Sequence, residues 1–201
     1  HRDLLAPGQV AYLWLLFSAE SLLPGGAVGQ ILQTSQDYAA DLGARLRERI
    51  YGDVIPPLAA ALLEARRLRN PSAERLAETY QMALTLLFRL LFVAYAEDKE
   101  LLPYRTNSLY RARSLKQKAR DLVAIAQAGN SFDETSTHWE DVARLFAAVD
   151  RGSREWGVPP YNGGLFSSEP DVSPVGAALA KVKVDNQTFG PVLSKLLVDE
   201  S

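Results

Sequence analysis

The residues able to do chemistry are few. The histidines are His1 and His138, cysteine is absent, and acids flank a lysine in the run Glu97-Asp98-Lys99-Glu100. Without cysteine there is no disulfide scaffold, no thiolate zinc site and no thiol nucleophile. Zinc needs three or four ligands, and no cluster of His, Cys and carboxylate supplies them. His138, beside Trp139 at the first turn of a predicted helix, reads as a surface or capping residue. The acidic run holds the residue types of a metal-dependent nuclease. It falls at a helix end without strand context, and there it reads as a solvated terminus whose Glu97 and Asp98 can cap or pair with basic residues. No phosphate-cradling GxxxxGK[ST] or GxGxxG is present, and Gly25-Gly26-Ala27-Val28-Gly29 reads as a helix-ending turn. The sequence therefore predicts no catalytic residue, no metal site and no cofactor site in this chain.

Two segments carry a weaker signal. Pro159-Pro160-Tyr161 has the outline of the Asn/Asp-Pro-Pro-Tyr loop with which DNA amino-methyltransferases hold a flipped base. The residue before the prolines is Val158, which has no acceptor, and no glycine loop for S-adenosylmethionine follows a strand. Between residues 105 and 120 stand six basic side chains, Arg105, Arg111, Arg113, Lys116, Lys118 and Arg120, and no acid. On a helix, Arg113, Lys116 and Arg120 would lie opposite Leu115, Ala119, Leu122, Val123 and Ala126. Such a stripe suits a phosphate backbone and would carry little sequence information. The other reading is an ordinary solvated face, since the net charge of the chain is −2.

The elements that would position these residues are helical throughout. At 201 residues, 47% hydrophobic and 23% charged, the chain can bury a real core. Apolar positions at 3–4 residue spacing predict a helix over 9–23, ended by Pro24-Gly25-Gly26, and a second from about Ser35 to Leu68, kinked or restarted at Pro56-Pro57. Asn70-Pro71 reads as the start of the most hydrophobic helix, about 71–99. Leu84, Leu87, Phe88, Leu91, Phe92 and Tyr95 make that helix apolar around most of its circumference and predict burial on several sides. Further helices are predicted over 108–128 and, from a capping box at Thr137-His138-Trp139-Glu140, to about Arg151. A Gly/Pro-rich loop over 152–173 and two short helices, capped near Ser173 and Asp185, complete the chain. The expectation is an all-α, irregular multi-helix bundle around a buried central helix, with one long loop. It divides as 1–151 (bundle) and 152–201 (loop and short helices leading to a further domain). The run Leu84–Ala96, interrupted by Arg89, is shorter than the roughly 20 residues that span a bilayer, so a soluble, non-membrane protein is expected. A first residue other than methionine is read as marking a piece of a longer protein.

Three groups of strings, in this order, resemble a known family. They are Tyr38-Ala39-Ala40-Asp41-Leu42-Gly43 with Leu46-Arg47-Glu48-Arg49-Ile50-Tyr51; Leu86 to Asp98 with Leu101-Leu102-Pro103; and Trp139, Leu145-Phe146 and Val149-Asp150 followed by Tyr161-Asn162-Gly163-Gly164-Leu165-Phe166. Over roughly residues 2–166 the chain resembles the helical region of type IIG (Eco57I-like) restriction endonuclease–adenine methyltransferase fusions and related phage-defence methyltransferases. The resemblance implies a non-catalytic connector between an N-terminal metal-dependent nuclease and a C-terminal N6-adenine methyltransferase in a prokaryotic cytoplasm. It implies S-adenosylmethionine and Mg²⁺ for the parent protein and neither for this chain. DNA and the two flanking domains would be the partners. Asn162-Gly163-Gly164 would free the backbone while Tyr161, Leu165 and Phe166 pin the loop into a hydrophobic seam. That seam is either an interface to the methyltransferase domain or a self-packed loop. A helical protein-interaction scaffold without DNA binding, docking through the same loop, is the rival reading.

Overall fold

The computed structural model describes residues 18–23, 25–161 and 163–198, with the backbone alone at 22, 39, 42, 43, 45, 46 and 49. The apolar stripe of Val10, Leu13, Trp14 and Phe17, the turn residue Pro24, the side chains of Leu42 and Leu46, and Asn162 lie outside the described residues. Among the described residues the fold is all-α, in nine helices: α1 (Ala19–Leu22), α2 (Ala27–Arg49), α3 (Ile55–Ala65), α4 (Ala73–Asp98), α5 (Ser108–Arg111), α6 (Leu115–Gln127), α7 (Thr137–Arg151), α8 (Pro174–Leu179) and α9 (Asn186–Leu197). A π-helical turn, Ile50–Val54, precedes α3, whose first turn holds the two prolines where a missing N–H costs nothing. The restart expected at Pro56-Pro57 is therefore present.

The chain divides into compact units between Arg49 and Ile50. In the first, α1 packs against α2, with Gly26 pressed onto the Glu20 and Ser21 carbonyls. Helix α2 begins at Ala27, earlier than expected from its periodicity, and leaves Ile31, Leu32 and Tyr38 exposed.

The second unit is built on α4, which packs against α3, α6 and α8, while α9 packs against α3, α6 and α7. Met82, Ala83, Leu86, Leu87, Leu90, Val93 and Ala96 of α4 are buried together with Leu58 and Leu62 of α3, Leu122 of α6, Leu145 and Val149 of α7, and Phe189 and Leu193 of α9. Each of the Met, Leu, Val and Phe side chains among them contributes about 2 kcal/mol of burial. Length and composition alone would let α4 cross a bilayer, but half of its most apolar stretch serves this core. Burial is not all-round, however. Leu76, Tyr80, Phe88 and Tyr95 are exposed along the face turned from the bundle. The start of α4 is also shifted. Ser72 is its N-cap, its hydroxyl accepting from the Arg75 N–H, while Asn70 sits before it in a left-handed conformation.

Residues 152–198 pack on the same core as 50–151. Trp156, Val158, Phe166, Leu179 and Val184 are buried members of it, so no division falls at 151. Ser173 caps α8 as expected, and Asp185, expected on the approach to the last helix, is itself the cap of α9; each acts through its own side chain.

Loop anchor and basic segment as candidate functional site

Arg89, the residue that interrupts the apolar run of α4, is 5% exposed. Its Nε donates to the Leu165 carbonyl at 2.7 Å and its Nη2 to the Ser167 carbonyl at 3.0 Å. The guanidinium lies 5.7 Å from the Phe146 ring centroid and 6.0 Å from that of Phe166. Phe92, one turn on, meets the rings of Tyr161 and Phe166 edge-on at 5.9 and 5.2 Å. Tyr161 ties the loop's near end, its N–H donating to the Val149 carbonyl and its hydroxyl to the Leu101 carbonyl. On the far side Gly176 approaches so closely that a Cβ would run into the Ser167 carbonyl and the Arg89 guanidinium. Burial pulls the Arg89 pKa below its ordinary value, with the Asp150 charge opposing; arginine keeps its proton at neutral pH all the same.

Of the loop residues predicted to form a docking surface, Phe166 is buried, Tyr161 and Leu165 are half-buried, and Gly163 and Gly164 are exposed; Asn162 lies outside the described residues. The rings of Tyr161 and Phe166 pack on Phe92 of α4, and Phe166 also on Phe146 of α7.

Glu97, expected at a solvated terminus, is 1% exposed. One carboxylate oxygen accepts from the Tyr110 hydroxyl (2.8 Å) and the Leu115 N–H (2.9 Å), the other from the Lys116 N–H (3.0 Å). A carboxylate from α4 thus caps the first turn of α6, where unpaired N–H groups and the helix dipole favour negative charge. Burial pushes the Glu97 pKa up, while the two backbone N–H groups and Tyr110 act against it. Asp98, Lys99 and Glu100 do face solvent.

This cap breaks the predicted helix 108–128. Ser114 becomes the N-cap of α6, its hydroxyl accepting from the Gln117 N–H, and α5 is a single preceding turn. The basic stripe is broken with it. Arg113 lies in the turn before α6, over the Trp156 ring at 5.4 Å. Lys116 pairs with Asp98 at 2.7 Å and lies over the Tyr104 ring. Lys118 joins the inner face, its side chain 12% exposed and its ammonium 2.7 Å from Asp141. Arg111 donates to the carbonyls of Tyr104 and Arg105, and Arg105 pairs with Glu100. Arg105, Arg111, Arg113 and Arg120 remain exposed.

His138 is buried, not superficial. Its pKa is lowered by burial first and by the Lys118 charge second. The capping box is replaced by Asn186, whose Oδ1 accepts the His138 N–H while its Nδ2 reaches Asp133, Thr135 and Thr137. The residues sequence reasoning passed over are Arg89 and Asn186. A lone arginine amid fourteen largely apolar positions, Leu84 to Glu97, was the available signal for the first; nothing local marked the second. Among the described residues no three His, Asp or Glu side chains are grouped to hold a metal.

Comparison with protein-family models, with curated proteins and with solved structures finds no match to this chain.

Proposed function

We propose that this chain is a non-catalytic helical connector, a DNA-positioning domain within a larger restriction–modification enzyme that joins a DNA endonuclease to an N6-adenine methyltransferase. The observation that supports it best is the meeting at Arg89. The helix string Leu86–Asp98 and the loop string Tyr161–Phe166, which carry the resemblance, are 76 residues apart at the Arg89–Leu165 hydrogen bond and form one packed unit. The same helix string, through Glu97, caps the first turn of α6 within the basic segment. A rigid block of this kind suits an element that must hold two catalytic domains in register. Exposed Arg105, Arg111, Arg113 and Arg120 supply phosphate contacts, with Lys116 shared between Asp98 and solvent. Lys118 is committed to Asp141 and serves structure. S-adenosylmethionine and Mg²⁺ belong to the neighbouring domains, in a prokaryotic cytoplasm.

The reading frame around the chain is the direct test. A carboxylate/lysine nuclease motif upstream and an Asn/Asp-Pro-Pro-Tyr loop downstream are expected, and a frame holding neither would overturn the reading. Duplex binding followed by fluorescence anisotropy tests the DNA role. Four contacts give a log–log salt slope of roughly −3 to −4, and Arg113→Glu with Arg120→Glu should abolish most of the binding without changing Tm. The exposed ridge of Leu76, Tyr80, Phe88 and Tyr95 favours the second reading, a helical protein-interaction scaffold. Salt-insensitive partner binding lost on Phe88→Ser would decide for it.

A further inference from the structure

A cavity of about 160 Å³ lies beside Arg89, with Leu86, Trp139, Val142, Phe146, Phe166 and Leu179 among its walls. Its exposed members Ala143, Arg151, Ser168 and Ala180 mark the mouth. An apolar cavity of about this size accommodates a single benzene ring. What distinguishes this one is its polar wall. Arg89 spends Nε and Nη2 on carbonyls, and its Nη1 has no partner among the described residues. Among the described residues no carboxylate stands within ion-pair distance of Arg89, although Asp150 lines the same cavity. Every fully buried side-chain nitrogen or oxygen among the described residues has a partner, so the unpaired Nη1 keeps accessible surface, and Arg89 is a wall of this cavity. The charged groups of the lining are Arg89, Asp150 and Arg151, a net charge of +1.

The geometry points to a binding site for a small aromatic monocarboxylate, its ring between Trp139, Phe146 and Phe166 and its carboxylate on the free Nη1 of Arg89. The assignment is independent of the connector reading. A fixed guanidinium in low-dielectric surroundings gives a strong charge-assisted hydrogen bond to an anion. The aromatic walls take a planar apolar body edge-on or offset. A neutral ring of the same size satisfies the walls and leaves Nη1 unpaired, and a cationic ring is repelled. The ligand would bind the same guanidinium that holds Leu165 and Ser167, so its occupancy tightens the loop.

The experiment titrates the chain with benzoate, toluene and benzylammonium, following the Trp139 indole N–H by NMR. Benzoate is expected to bind at least about tenfold more tightly than toluene, with benzylammonium not binding. Ala147→Phe, which fills the cavity, should abolish the response. Ala143→Leu, at the exposed mouth, should weaken it and leaves the core untouched, so a fold defect in the first variant cannot mimic the result. With benzoate bound, the amide of Phe166 should exchange more slowly. Equal affinity for benzoate and toluene would overturn the role of Arg89. Benzoate binding that survives both variants would place it elsewhere and overturn the site, as would the absence of any shift at Trp139.

Discussion

At the scale of single residues, two buried titratable groups give the fold opposite responses to pH. Glu97 serves three donors, and its truncation leaves the Tyr110 hydroxyl and the N–H groups of Leu115 and Lys116 without acceptors in the interior. Glu97→Ala should cost about 3 kcal/mol in denaturant unfolding. Glu97→Gln should cost less, since one oxygen still accepts from Tyr110 and Leu115 while the amide NH₂ faces the Lys116 N–H. Burial raises the Glu97 pKa above the ordinary 4.5, so the folded chain holds this proton more tightly than the unfolded one. The contribution is full below 4.5 and is lost as pH rises through the folded value. His138 behaves conversely. Its pKa lies below the ordinary 6.5, so its contribution is full above 6.5 and is lost as pH falls through the folded value. Unfolding curves against pH should therefore lose a falling limb in Glu97→Gln and a rising limb in His138→Gln. A wild-type slope kept by either variant would refute the assignment for that residue.

At the scale of elements, the close approach of α8 to the loop is sterically set. Gly176→Ala drives a Cβ into a backbone carbonyl that Arg89 already fixes, and about 3 kcal/mol of destabilisation is expected. Gly129, which ends α6 with φ at +67° and has open space around it, is a control of another kind. Gly129→Ala should cost only about 1 kcal/mol, from backbone conformation. Thermal melts of the two variants separate overpacking from strain. The same distinction accounts for what was legible in the sequence. Helix starts that use their own side chains, Ser173 and Asp185, could be read locally. The break at Ser114 depends on Glu97 from another helix, and the start of α7 depends on Asn186, 48 residues beyond the N–H it accepts. Periodicity located α4 but not its inward face: of Leu84, Leu87, Phe88, Leu91, Phe92 and Tyr95 only Leu87 is buried, and Phe88 and Tyr95 stay uncovered. Apolar residues on an outer face look the same in sequence. Lys118 reads in sequence as one of the six basic side chains of the segment, and composition does not show the Asp141 carboxylate that draws it inward.

At the scale of the whole molecule, the distribution of the core decides which pieces can fold. Every buried hydrophobic among the described side chains lies at Val54 or beyond, and the set runs on to Leu193. Residues 50–201 expressed alone should therefore unfold in one cooperative transition, with a Tm within a few degrees of the full chain. Residues 1–151, the division expected from composition, should not. That cut removes Phe166, Phe189, Val192 and Leu193 from the core. It also removes the carbonyls that satisfy Arg89 and the Asn186 amide that caps α7, leaving a buried charge and a helix start unpaired. Near-UV circular dichroism and dye binding give the readout: fixed aromatic signals for 50–201, and exposed apolar surface without them for 1–151. A cooperative melt of 1–151 would mean that α4 finds sufficient cover from α3, α6 and α7 alone. The loop anchored on Arg89 would then be an addition to the bundle, and the meeting of the two strings there would lose its weight as the feature defining the domain.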